Sequence, residues 1–274
     1  SVMLAGITQH LQSNMTLEME MPEGHDVVFA FDFDGVICDS VGENFITTWR
    51  ALRAADASLP ESPPDGLRER FVQCRPALET GYQNIPIVSL LLRGVEPEDL
   101  IMRFDDLISE FIRGEGTDDA EMIRRFGESR AAWQASDSDA WFDAQGFYPH
   151  TLAPVNGVAD RAIIATTKQN EFACKLVTRA GLKVPLPRVY GLERLGPQKK
   201  RNVLEELLRR NPTAQVHFFE DRIRTLQKLH DLPRLHRHLV DWGYNLPAER
   251  AAADASTDMD LLTPESFAAL LEAA

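Results

Sequence analysis

Two aspartates separated by one residue end an apolar segment, Val27-Val-Phe-Ala-Phe-Asp-Phe-Asp34. The segment is short and its apolar run is unbroken, which predicts a central parallel strand buried on both faces. Because alternate residues of a strand point the same way, Asp32 and Asp34 can share one cleft, and Gly35 lets the chain turn sharply after them. Two carboxylates placed in this way could supply the nucleophile and the proton donor for cleavage of a phosphate ester.

Polar residues also follow two other predicted strands. Thr166 follows one of them, and Glu220 and Asp221 follow another. In open α/β sheets, ligands gather at the carboxyl ends of the strands, so we expect these side chains to meet Asp32. Mg²⁺ prefers hard oxygen ligands, and Asp32, Glu220 and Asp221 would suit it. The metal would offset the repulsion between an anionic nucleophile and an anionic phosphate.

The elements that must position these residues differ between the two halves of the chain. Beyond residue 160, short apolar strands alternate with amphipathic helices, which is typical of βαβ units and a parallel sheet. Between the first strand and about residue 154 the pattern is helical, and its clearest helix begins at Pro97 and ends at Gly114. The later strands are predicted at 162–165, 188–190, 215–219, 238–241 and 259–262, and further helices at 85–92, 122–133 and 265–271.

Four segments of the sequence resemble the four ordered motifs of the haloacid dehalogenase superfamily. They are Asp32-Phe-Asp34-Gly-Val, Ile163-Ile-Ala-Thr166, Lys199-Lys200 and Phe218-Phe-Glu220-Asp221. The resemblance implies an α/β fold with a three-layer Rossmannoid core and a parallel sheet, into which an all-helical cap of the C1 type is inserted. It divides the chain into a loose N-terminal tail (1–26), a core (27–40 and 156–274) and a cap (41–155).

The same resemblance implies a role for each residue of the motifs. Asp32 would be phosphorylated, and Asp34 would protonate the leaving oxygen and later activate water. Thr166 would hydrogen-bond the phosphoryl oxygens, and Lys200, favoured over Lys199 by its spacing to Val203 and Leu204, would neutralise them. The metal ligands would be the side chains of Asp32, Glu220 and Asp221 and the carbonyl of Asp34. Proposed substrate contacts are Thr166, Thr167, Lys199, and Arg75 and Tyr82 in a polar stretch of the cap.

These roles imply a magnesium-dependent phosphatase that hydrolyses a small phosphomonoester through an aspartyl phosphate. A phosphomutase or phosphotransferase uses the same motifs, so this alternative stays open. A dehalogenase has little use for Asp34 and is disfavoured. A phospho-acceptor signalling module carries its acidic pair before the phosphorylated aspartate, whereas Glu220 and Asp221 follow Asp32 here. A binding protein without catalytic activity is disfavoured because all four motifs are intact.

Composition restricts the partners. Acidic residues outnumber basic ones 42 to 29, giving a net charge of −13, so nucleic acid and anionic membranes are predicted to be repelled. The expected partner is a small phosphorylated metabolite, and the oligomeric state stays open. The cysteines at 38, 74 and 174 match neither a zinc site nor a disulfide framework, and no signal peptide or anchor is expected near the start. A cytoplasmic location is therefore predicted.

Overall fold

The fold is built on one parallel sheet. The computed structural model describes residues 19–196 and 198–274. Within them the strands, in chain order, are β1 (Val27–Phe31), β2 (Cys38–Asp39), β3 (Gly146–Phe147), β4 (Ala162–Ala165), β5 (Val189–Tyr190), β6 (Gln215–Glu220), β7 (Leu235–Val240) and β8 (Asp260–Leu262). All but β2 and β3 join the sheet, in the order β5-β4-β1-β6-β7-β8. The strand order therefore reverses between β1 and β6, the position at which α/β sheets bind ligands.

Both faces of the central strand are buried, as the unbroken apolar run predicts. Phe29 and Phe31 pack on one face, where Phe31 stacks on Phe219 at 4.9 Å between ring centroids. Val28 and Ala30 pack on the opposite face with the residues of the other core cluster. Burial on both faces fixes the register of β1, and therefore the place where the chain emerges with Asp32.

Helices account for most of the remaining described chain. They are α1 (Val41–Ala55), α2 (Leu67–Cys74), α3 (Asn84–Leu92), α4 (Pro97–Met102), α5 (Phe104–Gly114), α6 (Asp119–Ser136), α7 (Ser138–Asp143), α8 (Pro149–Gly157), α9 (Asn170–Arg179), α10 (Lys200–Arg210), α11 (Ile223–Gln227), α12 (Pro247–Asp254) and α13 (Pro264–Ala273). Helices α1 to α7 form the helical cap. Its two connections to the sheet lie side by side, because β2 pairs with β3 in antiparallel fashion.

A buried ion pair ties the first helix of the cap to its longest one. The carboxylate of Glu43 accepts hydrogen bonds from Nε and Nη2 of Arg130, each at 2.8 Å, and from Thr47 at 2.6 Å. Both charged side chains are almost completely removed from water. Although burial alone would raise it, the Arg130 guanidinium holds the pKa of Glu43 at about 2. The pair is therefore fully charged at neutral pH.

The structure corrects two predictions about the elements. The helix predicted from Pro97 to Gly114 is two helices, because Arg103 leaves the helical conformation (φ −116°, ψ 28°). Helix α4 packs on α2 whereas α5 packs on α3, so the chain has to bend between them. In addition, α8 packs against α13 beside the sheet, although residues 149–155 were assigned to the cap.

The predicted loose tail is ordered in its described part. Met21 is buried, the carbonyl of Glu20 accepts a hydrogen bond from the Tyr190 hydroxyl at 2.6 Å, and that of Pro22 accepts one from Asn211 at 2.9 Å. Residues 19–26 therefore belong to the core, whereas residues 1–18 lie outside the described residues. Within the described chain, none of the helices combines the length and the apolar character that crossing a membrane requires.

Candidate active site

The loop that follows β1 places Asp32 at the switch point of the sheet. The backbone N–H of Asp32 donates to the carbonyl of Phe219 at 2.9 Å, which continues the pairing of β1 with β6. Its Oδ1 accepts a hydrogen bond from the N–H of Phe33 at 2.7 Å, and its Oδ2 lies 2.8 Å from Nζ of Lys200. The carboxylate is thus buried and oriented by two donors.

Gly35 brings this loop against the end of β6. Its φ of +86° is a conformation that side chains with a Cβ rarely adopt. A Cβ at this position would lie 2.0 Å from Oδ2 of Asp221. Glycine at position 35 is therefore required for the close approach of the loop and the Asp221 carboxylate.

Three buried carboxylates meet beside the loop. Oxygen atoms of Asp32, Glu220 and Asp221 lie within 4.8 Å of one another. Asp221 is oriented by the backbone N–H of Tyr244, which donates to its Oδ2 at 2.8 Å. Lys200 supplies positive charge, because its Nζ donates to Oε2 of Glu220 at 2.6 Å as well as contacting Asp32. The structure thus brings together the side chains that the sequence proposed as metal ligands.

The electrostatics of this cluster favour a cation. Burial, together with the charge of Glu220, raises the pKa of Asp32 to about 7. Burial likewise raises the pKa of Glu220 to about 7 and that of Asp221 to about 6, while Lys200 opposes all three shifts. Three carboxylates and one ammonium leave excess negative charge in a site that water screens poorly. A cluster of hard oxygen donors with this charge fits Mg²⁺.

Lys200 and Lys199 occupy different environments. Lys200 is buried at the start of α10 between Asp32 and Glu220. Lys199 is about half exposed, and its Nζ lies 3.1 Å from Oε1 of Glu79 in the cap. The φ of Lys199 is +54°, an uncommon conformation for a residue with a Cβ. Only Lys200 therefore contacts the acid cluster.

Asp34 has a partner that the sequence did not single out. Its Oδ1 lies 3.3 Å from Nζ of Lys168, whose side chain is buried, while the Asp34 carboxylate is 23% exposed. The backbone N–H of Lys168 donates to Oγ1 of Thr166 at 3.1 Å, so the loop after β4 holds both residues in place. A lone lysine in a loop is ordinarily solvated. The only signal for Lys168 was its place two residues after Thr166 at a strand end.

The cap lies against the carboxyl end of the sheet through the segment 78–81. The Thr167 hydroxyl donates to the carbonyl of Glu79 at 3.2 Å, and Nη1 of Arg222 donates to the carbonyl of Leu78 at 2.7 Å. Although burial raises it, the neighbouring Lys199 gives the pKa of Glu79 a net downward shift. Thr167 and Lys199, which the sequence proposed as substrate contacts, thus bind Glu79 in this arrangement.

A cavity of about 60 Å³ lies between the cap and the core. Asp32 and Asp34 line it from the core, and Arg75 and Tyr82 line it from the cap. The Tyr82 hydroxyl donates to Asp119 at 2.8 Å. A second cavity, of about 400 Å³, also reaches Asp32 and is lined by Lys199, Lys200 and Glu220, among others. The buried Asp32 therefore contributes to the walls of both cavities.

The parallel sheet and the inserted helices form the α/β fold with a helical cap that the motifs predicted. No family model and no curated protein sequence matches the chain. Among solved structures, a predicted phosphatase from Clostridium acetobutylicum is similar with a TM-score of 0.57 and 12% identity, over 92% of this chain and all of that one.

Two further solved structures share the fold. A predicted phosphoglycolate phosphatase from Haemophilus somnus 129pt has a TM-score of 0.58 and 14% identity, over 90% of this chain and 96% of that one. A haloacid dehalogenase-like hydrolase from Streptococcus pneumoniae, SP0104, has a TM-score of 0.54 and 14% identity, over 89% and 98% of the two chains. At these identities the similarity shows the fold.

Proposed function

We propose that the chain is a magnesium-dependent phosphatase that hydrolyses a small phosphomonoester through an aspartyl phosphate at Asp32. The observation that carries this proposal is the buried cluster of Asp32, Glu220 and Asp221 with Lys200. Asp32 and Asp221 of this cluster line the same cavity as Asp34. A cation-binding carboxylate cluster beside a second acid is what phosphoryl transfer to a carboxylate requires. Bound Mg²⁺ would be held by these three carboxylates and the Asp34 carbonyl, and would supply positive charge against the phosphate.

Each residue of the site has its own role in the two steps of this reaction. The Asp32 carboxylate forms a bond to phosphorus while the bond from phosphorus to the leaving oxygen breaks, and Asp34 gives its proton to that oxygen. Water next attacks the phosphorus, Asp34 takes up its proton, and the bond to Asp32 breaks to release inorganic phosphate. Lys200 balances the negative charge near Asp32, and the Thr166 hydroxyl, whose oxygen already accepts the Lys168 N–H, has its hydrogen to donate to a phosphoryl oxygen.

Hydrolysis of p-nitrophenyl phosphate tests this function. We expect turnover with Mg²⁺, loss of turnover with EDTA, and no turnover by Asp32→Asn although its circular dichroism is unchanged. Asp65→Asn, at an exposed position remote from the cavity lining, is the matched control and should keep the wild-type rate. Full activity of Asp32→Asn would contradict the assignment of the nucleophile. Phosphoryl transfer to an added sugar in place of phosphate release would favour the phosphomutase alternative.

Other features support a small metabolite as the partner. Three of the solved structures that share the fold are described as predicted or putative phosphoglycolate phosphatases, from Haemophilus somnus 129pt, Lactobacillus delbrueckii and Lactobacillus plantarum. The net charge of −13 disfavours nucleic acid and anionic membranes. Cys38, Cys74 and Cys174 are all free thiols, which is consistent with the reducing cytoplasm that we propose as the location.

A further inference from the structure

Arg75 is a buried cation that has no counter-ion among the described residues. It lies in the short 3₁₀ turn Arg75–Ala77 after α2, its residue is 5% exposed, and its Nε is buried without a hydrogen-bond partner. Its guanidinium carbon stacks over the ring of Tyr244 at 3.9 Å, which holds the group in place without neutralising it. Burying a guanidinium with no anionic partner is costly, so its place in the cavity lining calls for an anion.

The other cations that line the same cavity are already engaged. Each of them has an oxygen partner of the protein within 3.3 Å. Arg130 binds Glu43, Lys168 contacts Asp34, and Arg222 binds the carbonyl of Leu78. Arg75 is thus the cation of this lining that is left for a ligand, within the described part of the chain.

The position of Arg75 separates its role from that of the phosphoryl site. The phosphoryl oxygens would meet Lys200 and Thr166, which belong to the core, whereas Arg75 belongs to the cap. Arg75 shares the cavity with Asp34, the proposed proton donor to the leaving oxygen. An anion that binds Arg75 would therefore be part of the leaving group of the substrate.

The size of the cavity limits that leaving group. A volume of about 60 Å³ holds roughly four to six water-sized positions, at about 10–15 Å³ each. A phosphoryl group occupies part of this space, so a leaving group that lies in this cavity beside Asp34 and Arg75, and not in the cavity of about 400 Å³, has only a few non-hydrogen atoms. A carboxylate is the smallest common organic anion, and its two oxygens match the paired N–H groups of a guanidinium.

We propose that Arg75 binds the carboxylate of a short phosphorylated hydroxy acid and thereby selects the substrate. This inference rests on the proposed phosphatase function and names the class of its substrate. Arg75 is here a specificity residue, and it takes no part in the transfer of the phosphoryl group.

A matched pair of substrates tests the role of Arg75. The two substrates are phosphoglycolate and ethyl phosphate. They have the same phosphate ester, but ethyl phosphate carries a methyl group where phosphoglycolate carries a carboxylate. For the wild-type protein we expect kcat/KM to be about 100-fold higher with phosphoglycolate, the effect of hydrogen bonds between charged groups. Arg75→Met should remove this preference by lowering the value for phosphoglycolate alone, whereas Arg103→Met, an exposed charge elsewhere in the cap, should change neither value. Equal rates on both substrates, or an equal loss on both in Arg75→Met, would overturn the inference while leaving the phosphatase function intact.

Binding and stability measurements separate this inference from the proposed function. In the Asp32→Asn background, calorimetry should show phosphoglycolate binding that weakens about 50-fold on adding Arg75→Met. This result would support the inference even if no phosphate ester were hydrolysed. Arg75→Met should also unfold at the same temperature as the wild type or higher, because it removes an unpaired buried charge. A fall in unfolding temperature together with unchanged binding would show that Arg75 is structural.

Discussion

Replacing Gly35 by alanine should disable the acid cluster while leaving the fold in place. The added Cβ would lie 2.0 Å from Oδ2 of Asp221, and such contacts are not found below 3.0 Å. The Asp221 carboxylate must therefore move by about 1 Å, a displacement that can lower the rate of an enzyme about 100-fold. The positive φ of +86° adds strain of roughly 1–2 kcal/mol to the folded state.

A second glycine of the chain separates strain from displacement. Gly94 has almost the same φ, +87°, but a Cβ there would have no atom within 4 Å. Gly94→Ala should therefore lose about the same 1–2 kcal/mol of unfolding free energy and keep full activity. Urea unfolding measures the strain in both variants, and hydrolysis of p-nitrophenyl phosphate across a Mg²⁺ titration measures the site.

The two variants should differ in their response to Mg²⁺. We expect Gly35→Ala to lose about 100-fold in kcat/KM and to need more Mg²⁺ for half-maximal rate, because the moved Asp221 is one of the proposed ligands. Wild-type kcat and wild-type half-saturation in Gly35→Ala would refute the reasoning. They would mean that Asp221 can be displaced without consequence and is therefore not a ligand.

Three other changes have expected outcomes. Lys200→Met should reduce the rate of hydrolysis about 100-fold, because it leaves Asp32 without its ammonium partner. Lys199→Met, at the contact with the cap, should leave the rate almost unchanged. Similar losses of rate in the two variants would contradict the separate roles of the two lysines. Glu43→Gln should lower the free energy of unfolding, measured in urea, by about 3–5 kcal/mol, because it leaves the buried Arg130 without its anionic partner. A loss below about 1 kcal/mol is typical of an exposed ion pair and would contradict the burial of Glu43 and Arg130. Burial lowers the pKa of His217 to about 4 from the ordinary 6.5, so the unfolded chain binds the proton more tightly and stability falls as the pH drops from about 6.5 towards 4. The raised pKa values of Asp32, Glu220 and Asp221 act in the opposite direction over this pH range, so the contribution of His217 is the difference between the wild type and His217→Gln. After allowance for screening of this part-buried ring, we expect the wild type to lose about 1 kcal/mol more than His217→Gln between pH 7 and pH 5, measured by urea midpoints. The same pH dependence in the two proteins would exclude His217 as the source.

Burial on two faces explains which parts of the fold could be predicted. An apolar run buried on both sides has few alternatives to a central strand, and β4 was predicted with its observed ends at 162–165. The acids that follow such strands are then forced to one edge of the sheet, so the meeting of Asp32 with Glu220 and Asp221 was predictable as well. Periodicity alone did not show the break at Arg103, since no glycine or proline marks it and the bend arises from packing on different helices.

Charged residues were the weaker part of the prediction. Glu43 and Arg130 are 87 residues apart, and in sequence each is an ordinary charge on an amphipathic helix. Lys168 received no role from the sequence, whereas the structure buries it against Asp34. Whether a charge is solvated or buried depends on its partner from a distant segment, and no local pattern records that partner.

The paired strands β2 and β3 connect the cap to the loop that carries Asp34. The N–H of Gly35 donates to the carbonyl of Cys38 at 2.8 Å, and the N–H of Cys38 donates to the carbonyl of Phe33 at 2.9 Å. The loop that carries Asp34 is thus bonded to the first residue of β2. A movement of α1 to α7 away from the sheet would bend the chain at these strands and would displace that loop. A displacement of the cap would therefore also displace Asp34, the proposed proton donor, so that the position of this carboxylate would depend on the position of the cap.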